Sequence, residues 1–333
     1  MSRRIVLCAI ALVASIGFSH AGGLTLAHPY PEGSAVDQWA RELSACLDSR
    51  SGMFVDVIGG AKLGRSDDIA DAIRAGYVDM AIVPARSLGR QWPALSRLGQ
   101  SEPIPDPAQM MRLSQSTGFL ERINQIGAKR FELVVLSVGW QFSALVGKDG
   151  RLEDGALRAA RFFVPGPSKG EGRGDFLQEM IRRVGAEPVP LDARDIDSAL
   201  RYHAFDGGVV DVEMARRAMS QRGFDQLQWS QDHAAFASPV IVLMSANSYA
   251  SKEILSRFER LFSGPDGCLA TTTRFNQRSV AEMQNLVDEA RQAGIRVTPV
   301  SAVWRDAYRE TIALLRSPDD ELIAKAVGKE LSQ

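Results

Sequence analysis

From Leu24 onward, apolar residues come in short dense runs, separated by longer stretches in which they recur every three or four positions. The runs at residues 24–28, 53–59 and 79–85 have the length and composition of strands. Between the first two, Val36, Trp39, Ala40, Leu43 and Leu47 share one face of a helix that Ser34 is placed to cap. Between the second and third, Gly59 and Gly60 end the strand, and residues 66–76 form a helix closed by Gly76. The second half repeats this idiom. Strands are predicted over 132–140, 161–164, 188–191 and 239–245, and helices over 176–184 and 195–203, the former capped by Asp175 and Gln178. The chain then ends with a helix over 278–294, a strand from Ile295 and a helical tail from about Ala302. Alternating strands and helices predict an α/β fold with parallel strands, and ligands of such folds gather beyond the carboxyl ends of the strands. The loops at residues 28–32 and 59–66 are therefore expected to border a site.

The start of the chain has a different pattern. Arg3 and Arg4 precede an apolar run from Ile5 to Phe18, followed by Ser19-His20-Ala21, a small-x-small cleavage pattern. Residues 1–21 read as a secretory signal peptide. The run is short for a membrane helix, and no later stretch has about 20 consecutive apolar residues, so an exported soluble protein is expected. Cys8 follows Leu7 rather than a small residue, which argues against a lipid anchor. Export permits a disulfide between Cys46 and Cys268, but their separation is no evidence for one, and Cys46 falls on an apolar helical pattern, where a small buried hydrophobe is expected.

Charge narrows the function classes. The formal net charge is −1, with 24% charged residues, which gives no electrostatic basis for binding nucleic acid. About 310 residues remain after the leader, enough for two lobes. His28, His203 and His233 show no metal-ligand spacing, and neither a metal nor a cofactor is expected. Ser168 lies in Gly166-Pro167-Ser168-Lys169-Gly170, a GxSxG pattern, with Asp206 or Asp211 and then His233 in hydrolase order. A nucleophile elbow needs the strand to turn directly into a helix, whereas Gly170–Gly174 intervenes here, so no catalytic residue is assigned. Gly170, Gly172 and Gly174 also suggest a row of amides for an anion, but neither the P-loop nor the dinucleotide pattern is present.

Several stretches, in order, resemble the TRAP-type (tripartite ATP-independent periplasmic) solute-binding proteins. They are GGAKLGRSDDIADAIRAGYVDMAIVPA, ELVVLSVGWQF, LED at 152–154, RFFVPG, VGAEPVPLDARDIDSALRYHAFDGG and DHAAFASPVIVLMS. The resemblance runs from Leu24 to about Val300. It implies a two-lobe periplasmic-binding-protein fold, with a ligand cleft between the lobes and strands and a long helix crossing between them. Residues 22–333 would form the receptor. Lobe 1 would take approximately residues 22–145 and part of 235–300, and lobe 2 approximately 146–234 and part of the C-terminal helices. The resemblance further implies periplasmic location, no enzymatic activity, a small organic ligand with a carboxylate, and a membrane permease as partner. A ligand-sensing subunit on the same fold is the alternative, and a secreted hydrolase using Ser168 a more distant one.

The sequence departs from the family where the ligand should be held. The family strand reads roughly Arg-Phe-Arg-x-Pro-Gly, and its second arginine grips the carboxylate. The contiguous match puts Phe163 there; a register anchored on Leu152-Glu153-Asp154 makes Arg161 the clamp instead, and both positions face the same side of the strand. The family's Asp-Gly-Gln-Glu-Asn segment becomes Asp206-Gly207-Gly208-Val209-Val210, with Asp211 and Glu213 as shifted substitutes. Trp140 and Phe142, at the end of a strand, are expected to supply flat walls to the cleft. His28 and Tyr30 are expected to meet a polar end of the ligand. Arg65 is a substitute cation at a helix start, and Asp206 and His233 are expected at the cleft edge of the second lobe.

Overall fold

The computed structural model describes residues 23–315 except 90, 97, 99–106, 154, 166–175, 192–194, 222, 230–235, 247–251, 253, 255 and 264–265, together with residues 321, 325, 327 and 328. The predicted leader, Ser168 and His233 lie outside the described residues. Strands β1 (Gly23–Ala27), β2 (Phe54–Ile58) and β3 (Met80–Pro84) are parallel and lie side by side in the order β2-β1-β3. Helix α1 (Ala35–Ser51) joins the first two. It begins where the Ser34 hydroxyl accepts the Asp37 N–H, at 3.2 Å, and ends at Gly52 in the left-handed region, with φ of 71°. Helix α2 (Ser66–Arg74) joins β2 to β3. Two further helices, α3 (Pro107–Gln115) and α4 (Thr117–Arg130), precede β4 (Leu133–Lys148).

The 16-residue strand β4 organises the molecule. The sequence pattern ends this strand at Trp140, but it runs on through Lys148 because Phe142, Ala144 and Val146 keep the alternate positions buried. Its first part pairs antiparallel with β9 (Ala237–Ser245), which also pairs with β3, completing a first sheet in the order β2-β1-β3-β9-β4. Its last residues pair antiparallel with β7 (Gly207–Asp211) on one edge and with β8 (Phe224–Gln228) on the other. Strands β5 (Arg161–Pro165) and β6 (Glu187–Leu191) extend the second sheet beyond β7, all three parallel, and β10 (Arg296–Thr298) pairs with β8. Two sheets thus share one strand, in a mixed α/β, two-lobe architecture.

Helix α5 (Phe176–Arg183) leads into β6, α6 (Val212–Met219) follows β7, and α7 (Leu269–Gln292) runs between the two sheets. The 24 residues of α7 cover about 36 Å. They touch α1 and α3 beside the first sheet and α6 and β10 beside the second. Phe275 on α7 stacks on Trp39 of α1 with ring centroids 4.5 Å apart, a close approach that Gly139 of β4 permits by having no side chain. A second apolar cluster covers the other face of the second sheet, where Phe162 meets Trp304 and Phe176 meets Tyr308 of helix α8 (Ala302–Leu315).

Cys46 and Cys268 form a disulfide, with Cα atoms 5.7 Å apart across 222 residues of sequence. This corrects the expectation of a buried unbridged Cys46. Its face of α1 lies against the turn that starts α7, a proximity fixed by tertiary packing and invisible in the spacing. No helix of the described residues is long and apolar enough to cross a membrane.

Candidate ligand cleft

Strand direction places the site. Asp211, the last residue of β7, pairs with Ser143 of β4, one residue beyond the point where Phe142 pairs with Ala237 of β9. The carboxyl ends of β1, β2 and β3 therefore face the carboxyl ends of β5, β6 and β7 across the middle of β4, and ligands bind beyond such ends.

Four polar side chains converge on this junction. Tyr30 follows β1 and is half-buried; Arg86 is exposed two residues beyond β3; Asp211 ends β7; and half-buried Glu282 sits midway along α7. Burial pushes the Tyr30 hydroxyl well above its ordinary range, the Arg86 charge pulls against this and the Asp211 charge adds to it, so one side chain feels both sheets. Burial also raises the Glu282 carboxyl, opposed by Arg216 and Arg278 and reinforced by Asp211. Among the described residues, the Tyr30 hydroxyl, the Arg86 guanidinium and the Glu282 carboxylate have no hydrogen-bonding side-chain partner. Asp211 uses one oxygen to accept the Met214 N–H, at 2.8 Å, as the N-cap of α6, which leaves the other available. Arg278 donates to Glu42 at 2.6 Å, while its Nε and Nη2 are buried without a partner. Buried polar groups are normally satisfied. Among these groups only the Arg278 nitrogens are buried without a partner; Tyr30 and Glu282 are half-buried and Arg86 and Asp211 exposed, so the junction presents side chains of both signs that a small polar guest could engage.

The sequence-predicted residues divide. Tyr30 lies half-buried at the junction of the two sheets. Arg65 is exposed on the loop before α2, at the carboxyl end of the edge strand, its backbone N–H bonded to Asp68 at 3.0 Å. His28, expected to meet the ligand, is fully buried: its Nε2 lies 3.1 Å from Asp37 Oδ1, and burial, the largest influence, lowers its pKa and keeps the imidazole neutral. Gly59 makes room for it, since a Cβ there would come within 2.6 Å of the ring. Trp140, expected as a wall of the cleft, is 1% exposed, and its indole N–H donates to Met110 O and Ser114 Oγ at 3.0 and 2.9 Å. It is a satisfied core residue, and Phe142 is buried in the same cluster.

Both clamp candidates also sit away from the junction. Phe163 is 4% exposed and packs on Phe205, with centroids 5.7 Å apart, above Gly208. Arg161 begins β5 at the opposite end of the sheet, with Asp206 and Lys148. Its backbone N–H donates to Asp206 at 2.8 Å and its guanidinium lies 3.6 Å from the same carboxylate, while Lys148 Nζ is 3.4 Å from it. Burial works against ionisation of Asp206, but the Arg161 N–H and the two cations hold its pKa below the usual range. Lys148 lies about 16 Å further along β4 than Ser143, so this cluster ties down the far end of the second sheet rather than lining the cleft. Arg86 and Glu282 escaped sequence reasoning. The missed signal for Arg86 was its place just past the third parallel strand, where the same strand-end rule applies.

Behind Tyr30, Asp37 accepts from Gly33 N–H at 3.0 Å and from Arg41 Nε at 3.0 Å. Burial tends to raise its pKa, but these bonds and the Arg41 charge hold it below the usual carboxylate value. Asp37→Ala leaves His28 and the Gly33 amide without an acceptor and is expected to lower stability by about 1–3 kcal/mol. Because the folded pKa is depressed, this contribution is complete above the unfolded value and disappears as pH falls through the folded one. Urea unfolding of both proteins at pH 7 and in acid should therefore show the gap closing in acid; a gap independent of pH would contradict this account.

No protein-family model matches the chain, and no curated protein sequence matches it. Solved structures do. A TRAP periplasmic solute-binding protein from Desulfovibrio salexigens with bound orotic acid aligns at 16% identity and a TM-score of 0.71, over 93% of this chain and 99% of that one. The periplasmic ectoine-binding protein of a Halomonas elongata TRAP transporter aligns at 14% identity and 0.72, over 93% and 99%. An open, ligand-free TRAP solute-binding protein from Rhodobacter sphaeroides aligns at 14% and 0.72, over 93% and 98%. The chain therefore has the fold of the TRAP periplasmic solute-binding proteins, nearly end to end.

Proposed function

We propose that this chain is a divergent TRAP-type solute receptor, exported to the periplasm, that holds a small organic molecule between its lobes and hands it to a membrane permease. The observation that carries the reading is that the carboxyl ends of the two sets of parallel strands meet at one junction, where Tyr30, Arg86, Asp211 and Glu282 have no salt bridge to another side chain among the described residues. Tyr30 and Arg86 contribute from one side, and Asp211 and Glu282 from the other. Lobe 1 would comprise approximately residues 22–145 with part of 235–300, and lobe 2 approximately 146–234 with part of the C-terminal helices. Closing such a gap removes water, which strengthens the charged hydrogen bonds inside it, and gives the open and closed states that delivery requires. The Cys46–Cys268 disulfide supports an oxidising compartment. In this reading Arg86 takes over the carboxylate grip that Phe163 cannot provide, Arg65 stands at the rim, and His28 holds the floor under Tyr30.

Thermal-shift screening against small organic acids, amino acids and sugars tests the proposal. A ligand at 100 times its dissociation constant should add about 2.7 kcal/mol to stability. Failure of every compound, together with no co-purifying small molecule by mass spectrometry, would end it. For any anionic ligand found, Arg86→Ala should weaken binding by about 2 kcal/mol, roughly 30-fold, with little change in the stability of the empty protein. Unchanged affinity by calorimetry would place the ligand elsewhere.

A further inference from the structure

A cavity of about 580 Å³ lies at the start of α7, beside the disulfide. Three elements form its wall. Helix α7 contributes Leu269, Thr273 and Arg274 from its first turns, α4 begins there with Thr117, and the short helix Phe258–Phe262 ends there with Phe262, followed by Ser263. Thr273 and Glu282 are nine residues apart on α7, about 14 Å along its axis, so the cavity is separate from the interlobe junction. Its volume falls within the roughly 300–1,000 Å³ of small-molecule sites.

The chemistry of the wall is one-sided. No Asp or Glu is among its described residues, and its cation, Arg274, is exposed. Arg274 gives its Nε to Glu42 at 2.9 Å, and Glu42 also accepts from Arg278 at 2.6 Å, so one carboxylate serves two guanidinium groups. The Nη groups of Arg274 have no partner among the described residues. Glu282, which acts on Arg278, is eight residues past Arg274, about 12 Å along the helix. The Ser263 hydroxyl is buried without a partner, and buried polar groups are normally satisfied. Thr117 opens the first turn of the 14-residue α4, where the backbone dipole is positive. Its hydroxyl is uncommitted among the described residues, whereas Thr273 accepts from Gln115 at 3.2 Å and donates to Leu269 O at 3.4 Å. Phe262 and Leu269 supply apolar surface beside these donors.

We propose that this cavity is a second binding site, separate from the interlobe cleft and independent of the receptor reading, for a small monocarboxylate with an apolar body. The carboxylate is directed to the Arg274 Nη groups and to the hydroxyls of Thr117 and Ser263, and the hydrocarbon to Phe262 and Leu269. A single negative charge matches a wall with one cation and no acid. A cationic guest would find no counter-charge there, and a neutral one would leave the guanidinium unmatched.

Benzoate and phenylacetate, each beside its neutral amide, test this by calorimetry and thermal shift on the intact exported protein. The acids should bind about 10-fold or more tighter than benzamide and phenylacetamide. Two variants locate the binding. Ala270→Phe fills the cavity from the first turn of α7, and Arg274→Gln removes the cation at an exposed position; each should weaken the acids about 10-fold or more. Arg86→Ala should leave their affinity unchanged. Arg274→Gln gives up one exposed ion pair while Arg278 still holds Glu42, so the empty variant should melt near the parent temperature, and it carries the test if Ala270→Phe does not fold. Amides that bind as tightly as the acids, or acids whose binding survives the cavity variants, overturn the proposal. Loss of acid binding in Arg86→Ala instead assigns the probes to the cleft, which overturns it while supporting the receptor reading. Absence of saturable binding by every probe overturns it and leaves the receptor reading to its own screen.

Discussion

Replacing Cys46 and Cys268 together by serine is expected to remove about 2–5 kcal/mol of stability, a loss that urea denaturation reads as a lower midpoint and that reducing agent reproduces in the parent. The bond closes a loop spanning 222 residues, most of the folded chain. Constraining so long a loop restricts the unfolded ensemble severely, and the chain-entropy model puts the effect at about 5 kcal/mol, with native-state adjustments reducing it. The slope of free energy against urea should also rise in the double variant, because an uncrosslinked unfolded chain exposes more surface. Position matters as well as length. The disulfide ties α1, which holds Asp37 and Glu42, to the turn that starts α7, which carries Arg278 and Glu282. Two titratable thiols in the unfolded, unreduced protein, or midpoints insensitive to reductant, would contradict the assignment.

The parts of the fold that were legible in the sequence are those in which a local pattern coincides with the final environment. Strands β1 to β3 are apolar, bounded by glycine or proline, and buried on at least one face; α1 shows its core stripe openly, and its caps are ordinary ones. Strands β7 and β8 were not legible. Gly207 and Gly208 look like a turn, yet they lie flat because Phe162 and Phe163 fill the space their missing side chains leave. In β8, Gln226 and Gln228 look solvent-facing, yet they are buried because their amides accept from Leu152 N–H at 2.8 Å and donate to its carbonyl at 3.1 Å. The same limit governs the site. Trp140 ends an apolar run and resembles a binding wall until Ser114 and Met110, from another helix, take its indole N–H. Arg86 and Glu282 resemble ordinary surface charge until the two sheets bring their strand ends to one junction. Strand direction was the transferable signal, and it pointed to the ends of the strands rather than to the aromatic residues along them.

Phe163→Arg, which writes the family's arginine back into this strand, is expected to destabilise the protein by about 3–5 kcal/mol, as large changes in a packed core do, and to leave it without a functioning clamp. Phe163 is 4% exposed, its ring lies against Phe205, and a Cβ at Gly208 would approach its own Cβ to 3.1 Å. Losing the buried ring forfeits about 1.5–3 kcal/mol of apolar burial, and a guanidinium in its place would need acceptors. The carboxylate on that side of the strand, Asp206, is already engaged by Lys148 and the Arg161 backbone at the far end. The surroundings of position 163 have thus been rebuilt for an aromatic ring, with Phe205 packing on it and Phe224 in turn on Phe205. Reversing one residue does not reverse its neighbours. A variant that unfolds at the parent's urea midpoint and binds a simple monocarboxylate more tightly would show instead that the position opens to the cleft, and would return the carboxylate grip to this strand at the expense of Arg86.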